Sequence, residues 1–118
     1  MRVELDVFSG RPNPSWELTG KQPTEFLTLL GSLEPVGSAP TASEGLGYRG
    51  FLVTAQGETM SGFDRIRVFR GMAIANRGGG TEVFRDRQHS LESWLLETGR
   101  AHMEQGTAEY VRKEIELP

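Results

Sequence analysis

The residues best suited to chemistry lie in one arginine-rich segment. Between Arg65 and Arg87 the chain has six arginines and two acids, a local charge of six minus two, or +4, in a chain of formal charge −3. Arginine is the usual two-point partner of carboxylates and phosphates. Nucleic-acid binding is not expected, because the whole chain is acidic and the arginines are neither interleaved with tyrosines nor placed on a basic helix. The segment instead indicates ion pairs within the fold or a site for a small anionic ligand.

Arg70 interrupts the apolar face of a strand predicted over residues 65–75. The other even positions of that strand are Ile66, Val68, Met72 and Ile74. If this face is the core, the Arg70 guanidinium needs a partner, because an unpaired buried charge is strongly destabilising. The pattern therefore predicts either an ion pair at the sheet end or an anion held by Arg70. A bulge at Arg70–Gly71 is a further way to redirect the side chain.

Arg65 and Arg67 occupy alternate positions of the same predicted strand. Glu4 and Asp6 alternate in the same way on the polar face of a first strand over residues 2–8. Opposite charges on neighbouring strands pair across a sheet, so the arginines are expected to face these carboxylates. The alternative is a contact surface for a partner, made of Arg65, Arg67 and Phe69.

A proline-rich loop follows the first strand and reads Arg11-Pro12-Asn13-Pro14. Each proline restricts its own φ and the conformation of the residue before it, which predicts a stiff loop. A stiff loop that presents Arg11, Asn13 and Trp16 is a candidate contact surface, because preorganisation lowers the entropic cost of binding. Equally, the prolines can serve only to direct the chain from a strand to a helix.

Other chemical motifs are weak or missing. His89 and His102 flank a predicted helix, about 20 Å apart along its axis, so they are not expected to share a metal. Asp86, His89 and Ser90 combine an acid, a base and a hydroxyl, but neighbours at a helix start usually cap it. The glycine run at 77–81 lacks the lysine and helix of a phosphate-binding loop and predicts a hairpin tip. The chain has no cysteine, and we expect no cofactor.

A resemblance involves two short patches. The stretch Leu5-Asp6-Val7-Phe8-Ser9-Gly10-Arg11-Pro12-Asn13-Pro14 resembles the opening of a group of small uncharacterised hypothetical proteins. The stretch Trp94-Leu95-Leu96-Glu97-Thr98 is similar to a segment of the same group. The resemblance implies no activity and carries over no functional residue.

The elements that would position these residues follow from hydrophobic periodicity. Further strands are predicted at 49–56 and 81–84, the latter at a sheet edge. Helices are predicted from Pro23 to Leu33, from Ser90 to Gly99 and after Thr107. Residues 34–48 are rich in glycine, proline and serine and predict a flexible loop. The order predicts one α+β domain over 1–118, with a mainly antiparallel sheet of three to four strands and helices packed on one face.

Two classes of function are compatible with this arrangement. The first is a non-enzymatic binding or assembly module, with a protein partner or a second copy of the chain bound at the stiff loop or the sheet. The second is a small enzyme or small-molecule binder, with Arg70 gripping an anion under the 34–48 loop and Asp86 or His89 as acid or base. In a purely structural homodimer, a row of small residues, Gly71, Ala73 and Ala75, would allow close approach of a second sheet, although the same row also suits a covering helix. No apolar run is long enough to span a membrane, and a cytoplasmic location is the default expectation.

Overall fold

The computed structural model describes residues 1–8, 10–36, 47–55, 60 and 62–116. Within them an antiparallel sheet is combined with three α-helices, which confirms the α+β class. The expected number of strands is wrong, since the described residues form seven. The strands are β1 (Arg2–Leu5), β2 (Ser15–Glu17), β3 (Glu34–Val36), β4 (Phe51–Thr54), β5 (Arg65–Phe69), β6 (Met72–Arg77) and β7 (Gly80–Arg85). The helices are α1 (Gln22–Gly31), α2 (Ser90–Gly99) and α3 (Gln105–Glu116), with single 3₁₀ turns at Arg87–His89 and Arg100–His102.

The sheet buries one face, and strand alternation determines which one. In spatial order the strands are β2, β1, β4, β5, β6, β7 and β3, all antiparallel to their neighbours. Val3, Val53 and Ile66 lie in register on β1, β4 and β5 and are fully buried. The same row extends to Trp16 on β2 and Ala75 on β6. Successive side chains of a strand point to opposite faces, so the charged residues between these positions lie on the other face.

The strand predicted over 65–75 is two strands joined by a tight turn, so that prediction is wrong. β5 ends at Phe69 and β6 begins at Met72, and these two residues pair with each other. The turn residues Arg70 and Gly71 have φ of 50° and 76°, the positive values that two-residue hairpin turns require. Arg70 is consequently exposed. It is neither buried among apolar side chains nor part of a bulge.

Two further corrections concern β3 and β7. The segment at 81–84 was expected at a sheet edge, but β7 pairs with both β6 and β3. β3 itself falls inside the predicted loop at 34–48, whose residues 37–46 lie outside the described part of the chain. The glycine run does join two strands, as expected, because Arg77 pairs with Gly80 across a turn at Gly78–Gly79.

The helices pack onto the buried face of the sheet. Apolar residues of α1 and α3 share one core with the strands, namely Phe26 and Leu30 of α1 and Ala108, Val111 and Ile115 of α3. Ala73 and Ala75 are fully buried in that core. The small-residue row is therefore covered by the protein itself and is not a surface for a second sheet. In the described part of the chain, no helix has the length and apolar character needed to cross a membrane.

Candidate functional site

The densest polar cluster in the described residues surrounds a fully buried carboxylate, Glu92 of α2. Its oxygens accept hydrogen bonds from the backbone N–H groups of Arg70 and Gly71, both at 3.2 Å. The hydroxyl of Tyr48 donates to Oε2 of Glu92, and Nδ1 of His89 lies 2.9 Å from Oε1. An ionised carboxylate can accept all of these bonds. Glu92 therefore joins the β5–β6 turn, the segment before β4 and the start of α2 at one point.

Asp86 builds the start of α2 that carries Glu92. Its Oδ1 accepts from the backbone N–H of Leu91 at 2.8 Å, and its Oδ2 from that of Glu92 at 2.9 Å. These are unpaired donors at the first turn of the helix, which a side-chain oxygen normally satisfies. The Asp86 N–H also donates to the carbonyl of Gly71 at 2.8 Å. Both carboxylate oxygens thus act as a helix cap, in line with the expected capping role.

Backbone strain is concentrated around the same carboxylate. Among the described residues, the non-glycine residues with positive φ are Arg70 at 50°, Gln88 at 58° and His89 at 54°. Each such conformation costs about 1–3 kcal/mol and persists only where the surroundings impose it. Arg70 and His89 bond directly to Glu92, and Gln88 precedes His89. Strain collected in this way is a recognised feature of binding and catalytic sites.

The cluster keeps the Tyr48 phenol protonated and selects one tautomer of the neutral His89 ring. Burial, and then the neighbouring Glu92 carboxylate, raise the pKa of Tyr48 far above its ordinary value, so the phenol stays protonated and acts as a donor. Because an ionised carboxylate only accepts hydrogen bonds, His89 must carry its proton on Nδ1 in the neutral ring. Its Nε2 is then left with a free lone pair. The side chain of His89 is 31% exposed, which leaves the ring accessible.

The pH dependence of Asp86 provides a first prediction. Burial raises the pKa of its carboxyl above the ordinary 3.8, against the opposing effect of the Leu91 and Glu92 amides. The folded chain therefore holds this proton more tightly, and the contribution of Asp86 to stability falls as pH rises through the range just above 3.8. We expect the stability of Asp86→Asn relative to the native protein to increase between about pH 4 and about pH 7. Urea unfolding measures this, with the exposed Asp64→Asn as the control for the lost carboxylate.

A constant stability difference across that pH range would contradict the prediction. The variant also loses one oxygen that accepts a backbone bond, which lowers its stability by an amount independent of pH. Only the change with pH in the stability difference between Asp86→Asn and the native protein therefore reports the titration of Asp86.

The second candidate site is the proline loop, defined as residues 10–14. Oδ1 of Asn13 accepts from the backbone N–H groups of Val7 at 3.0 Å and Phe8 at 2.8 Å. Its Nδ2 donates to Glu4 at 3.1 Å. The Arg11 guanidinium lies 3.7 Å above the centre of the Phe8 ring. These contacts tie the loop to β1 and leave Arg11 exposed at its surface.

Trp16 belongs to the core and not to the loop surface. It is 4% exposed, and its Nε1 donates to the hydroxyl of Thr98 at 3.0 Å. His102 stacks on its ring at 6.1 Å between centroids. Of the three residues predicted to form a contact surface, Arg11 alone is exposed, since the amide of Asn13 is also engaged within the fold.

A shallow groove of 530 Å³ separates the proline loop from the turn after α2. It is lined by Phe8, Arg11, Pro12, Asn13 and Pro14 on one side and by Ala101, His102, Met103 and Glu104 on the other. Its volume falls in the range typical of ligand sites. Its lining is mixed, with apolar surface from Phe8, Pro12 and Met103 and two exposed charges, Arg11 and Glu104.

Arg65 and Arg67 lie on the open face of β5, apart from both sites. Arg67 donates to Asp6 at 3.0 Å and to the carbonyl of Arg49 at 2.9 Å. The expected cross-sheet pair between Asp6 and Arg67 is confirmed, and Arg49 adds a second bond to Asp6 at 2.8 Å. Glu4 instead bonds Asn13. Arg65 is exposed and borders a 270 Å³ depression with Leu52.

Glu92 is the important residue that sequence reasoning missed. A signal was present, because Glu92, Leu96 and Gly99 recur at i, i+4 and i+7 on α2, and all three are buried. The described residues contain no group of three or more His, Cys, Asp or Glu side chains able to hold a metal ion. No family model matches the chain, and no curated protein or solved structure is significantly similar to it.

Proposed function

We propose that the protein is a non-enzymatic binding module that takes an extended peptide segment of a protein partner in the groove beside the proline loop. The observation that carries this proposal is the preformed loop. Asn13 holds it by three hydrogen bonds, one to β1 and two to the segment that follows β1, and Arg11 is stacked on Phe8. Little conformational entropy remains to be lost there on binding, which favours affinity.

The chemistry of the groove indicates the kind of peptide that fits. Phe8, Pro12 and Met103 offer apolar surface against which an apolar side chain can pack. The exposed guanidinium of Arg11 can pair with a carboxylate of the same peptide, in the two-point geometry that arginine favours. The expected ligand is therefore an extended segment with an acidic residue beside an apolar one. The proposal retains the cytoplasm as the expected compartment, which the cysteine-free composition allows.

A displayed peptide library selected on the full chain tests this proposal. We expect enriched peptides to bind native protein, and Arg11→Ala to weaken them at least tenfold, because a hydrogen bond to a charged group contributes about 1.5–3 kcal/mol. Ala101→Trp should block binding by filling the groove, since Ala101 is exposed on its far wall. Arg65→Ala is the matched control, an exposed arginine on another surface that should leave binding unchanged.

Mapping by amide chemical shifts identifies where the peptide sits. Shifts confined to Phe8, Arg11 and the 101–104 turn are the expected result. Binding that survives both Arg11→Ala and Ala101→Trp, or shifts centred on Arg65, would refute the groove as the site. Shifts of the same groove residues that depend only on protein concentration would point to a second copy of the chain, and would overturn the proposal of a separate partner.

A further inference from the structure

We infer that Arg70 and His89 form a second site, which binds a small oxyanion that also carries a hydroxyl group. Arg70 takes the anionic oxygen, and the Nε2 of His89 accepts the hydrogen of the hydroxyl. Glu92 is the positioning residue for both. This site does not depend on the proline loop.

One buried carboxylate positions the backbone of Arg70 and the ring of His89. Glu92 bonds the main-chain N–H of Arg70 and the Nδ1 of His89. A histidine held through Nδ1 by a carboxylate presents Nε2 as an acceptor in a fixed direction, which is the arrangement used by catalytic and metal-binding histidines. The His89 ring also lies directly against the turn, since a Cβ built on Gly71 would be in van der Waals contact with it at 3.5 Å.

A second observation is the state of the Arg70 guanidinium. Arg70 is exposed and lies 5.1 Å above the Phe69 ring. Within the described residues it has no carboxylate partner, whereas Arg49 and Arg67 share Asp6. Asparagine is the residue that suits the first position of such a turn. Glu92 holds the arginine in this conformation through its backbone N–H, and the guanidinium stays exposed beside the turn.

A third observation is the combination of charges. Glu92 and Asp86 are both buried acids, so the surroundings of His89 are not those of a simple anion site. A ligand with one anionic oxygen for Arg70 and one hydroxyl donor for Nε2 satisfies both side chains. A hydroxy acid offers both groups, whereas a carboxylate without a hydroxyl can bind Arg70 but has no donor for Nε2.

Nitrogen NMR spectra of the imidazole rings, recorded on the ¹⁵N-labelled full chain, test which tautomer His89 adopts. The chain has two histidines, so His102→Gln assigns both signals. We expect neutral His89 to be the Nδ1–H tautomer, opposite to the form that predominates for free histidine in water. An Nε2–H tautomer at His89 would refute the inference, because Nε2 could then no longer accept a hydrogen bond from the ligand.

Titration with glycolate and acetate tests the ligand chemistry. The two probes differ by one hydroxyl, and the Gly71 amide signal reports binding in every variant. We expect saturable shifts, with glycolate at least threefold tighter than acetate. Arg70→Asn should abolish saturation with both probes while keeping the hairpin turn, and His89→Asn should remove only the preference for glycolate. Equal affinities for the two probes in the native protein, or unchanged binding in Arg70→Asn, would overturn the inference.

Discussion

Gly99→Ala is expected to lower the free energy of unfolding by about 3 kcal/mol, at the upper end of the usual cost of overpacking a core. A Cβ built on Gly99 would lie 2.3 Å from Cζ2 and 2.4 Å from Cη2 of the Trp16 ring. The ring cannot easily retreat, because it is buried and its Nε1 is bonded to Thr98. Urea unfolding followed by circular dichroism measures the loss.

Gly106→Ala is the matched control for this substitution. Gly106 is also a helical glycine, but nothing lies within 4 Å of the position its Cβ would take. Alanine is the better helix former, so this variant should gain about 0.5–1 kcal/mol. Opposite signs at the two glycines would show that contact with Trp16, and not helix propensity, is decisive. A Gly99→Ala variant as stable as the native protein would mean that Trp16 does not pack as described.

A rescue variant isolates the pair. Trp16→Phe in the Gly99→Ala background removes the ring atoms that would clash, so the double variant should be more stable than the sum of the single losses predicts. A purely additive result would place the cause of the Gly99 effect elsewhere. The two substitutions also test whether Trp16 is a core residue. Replacing a residue that only contacts a partner would weaken binding and leave the free energy of unfolding nearly unchanged.

Glu92→Ala is expected to have the largest effect of any single change in the polar cluster, about 3–5 kcal/mol. It leaves the Tyr48 hydroxyl and the N–H groups of Arg70 and Gly71 without their acceptor. A buried donor that loses its partner costs about 1–3 kcal/mol. Glu92→Gln keeps the shape of the side chain but replaces one accepting oxygen by a donor, so a smaller loss of about 2 kcal/mol is expected.

Glu97→Ala is the control on the same helix. Glu97 is exposed and, within the part of the chain that the structure describes, its carboxylate pairs with Arg100 alone, at 2.9 Å. Exposed ion pairs contribute about 0–1 kcal/mol, so its removal should have little effect on the unfolding midpoint. Equal losses for Glu92→Ala and Glu97→Ala would contradict the role assigned to Glu92 as the point that joins the turn to the helix.

The two proposed sites differ in how they could be built. The proline loop is stiffened by local contacts, since Asn13 bonds residues within nine positions of itself. The cluster around Glu92 is assembled from segments far apart in sequence, with Tyr48 bonded across 44 positions and Arg70 across 22. Disruption of the loop should therefore affect binding before stability, whereas disruption of the cluster should affect both.

Local patterns in the sequence were sufficient for the parts of the fold that local physics controls. Alternation identified β1, and a 3.6-residue period identified the buried rows of α1 and α3. Asp86 was recognisable as a cap, because its residue type and place before α2 are those that satisfy free helix amides. The pair of Asp6 with Arg67 also followed from alternation, since both side chains lie on the polar side of the sheet, but the pair reaches across β4, which separates β1 from β5.

Tertiary structure decided what depends on distant segments. Arg70–Gly71 did not read as a turn, because an arginine at positive φ is unfavourable by itself and is held there by Glu92 from α2. β3 has three residues, two of them exposed, and such a short strand exists only because β7 supplies its hydrogen bonds. The sequence left Trp16 open to two interpretations, a return of the chain to the core or a contact residue beside the stiff loop, and the ring is buried because Gly99 on α2 leaves room for it. Hydrophobic periodicity indicates which face of a helix or strand is buried, but not which distant residue packs against it or bonds to it. The cluster around Glu92 consists largely of residues that are distant in sequence.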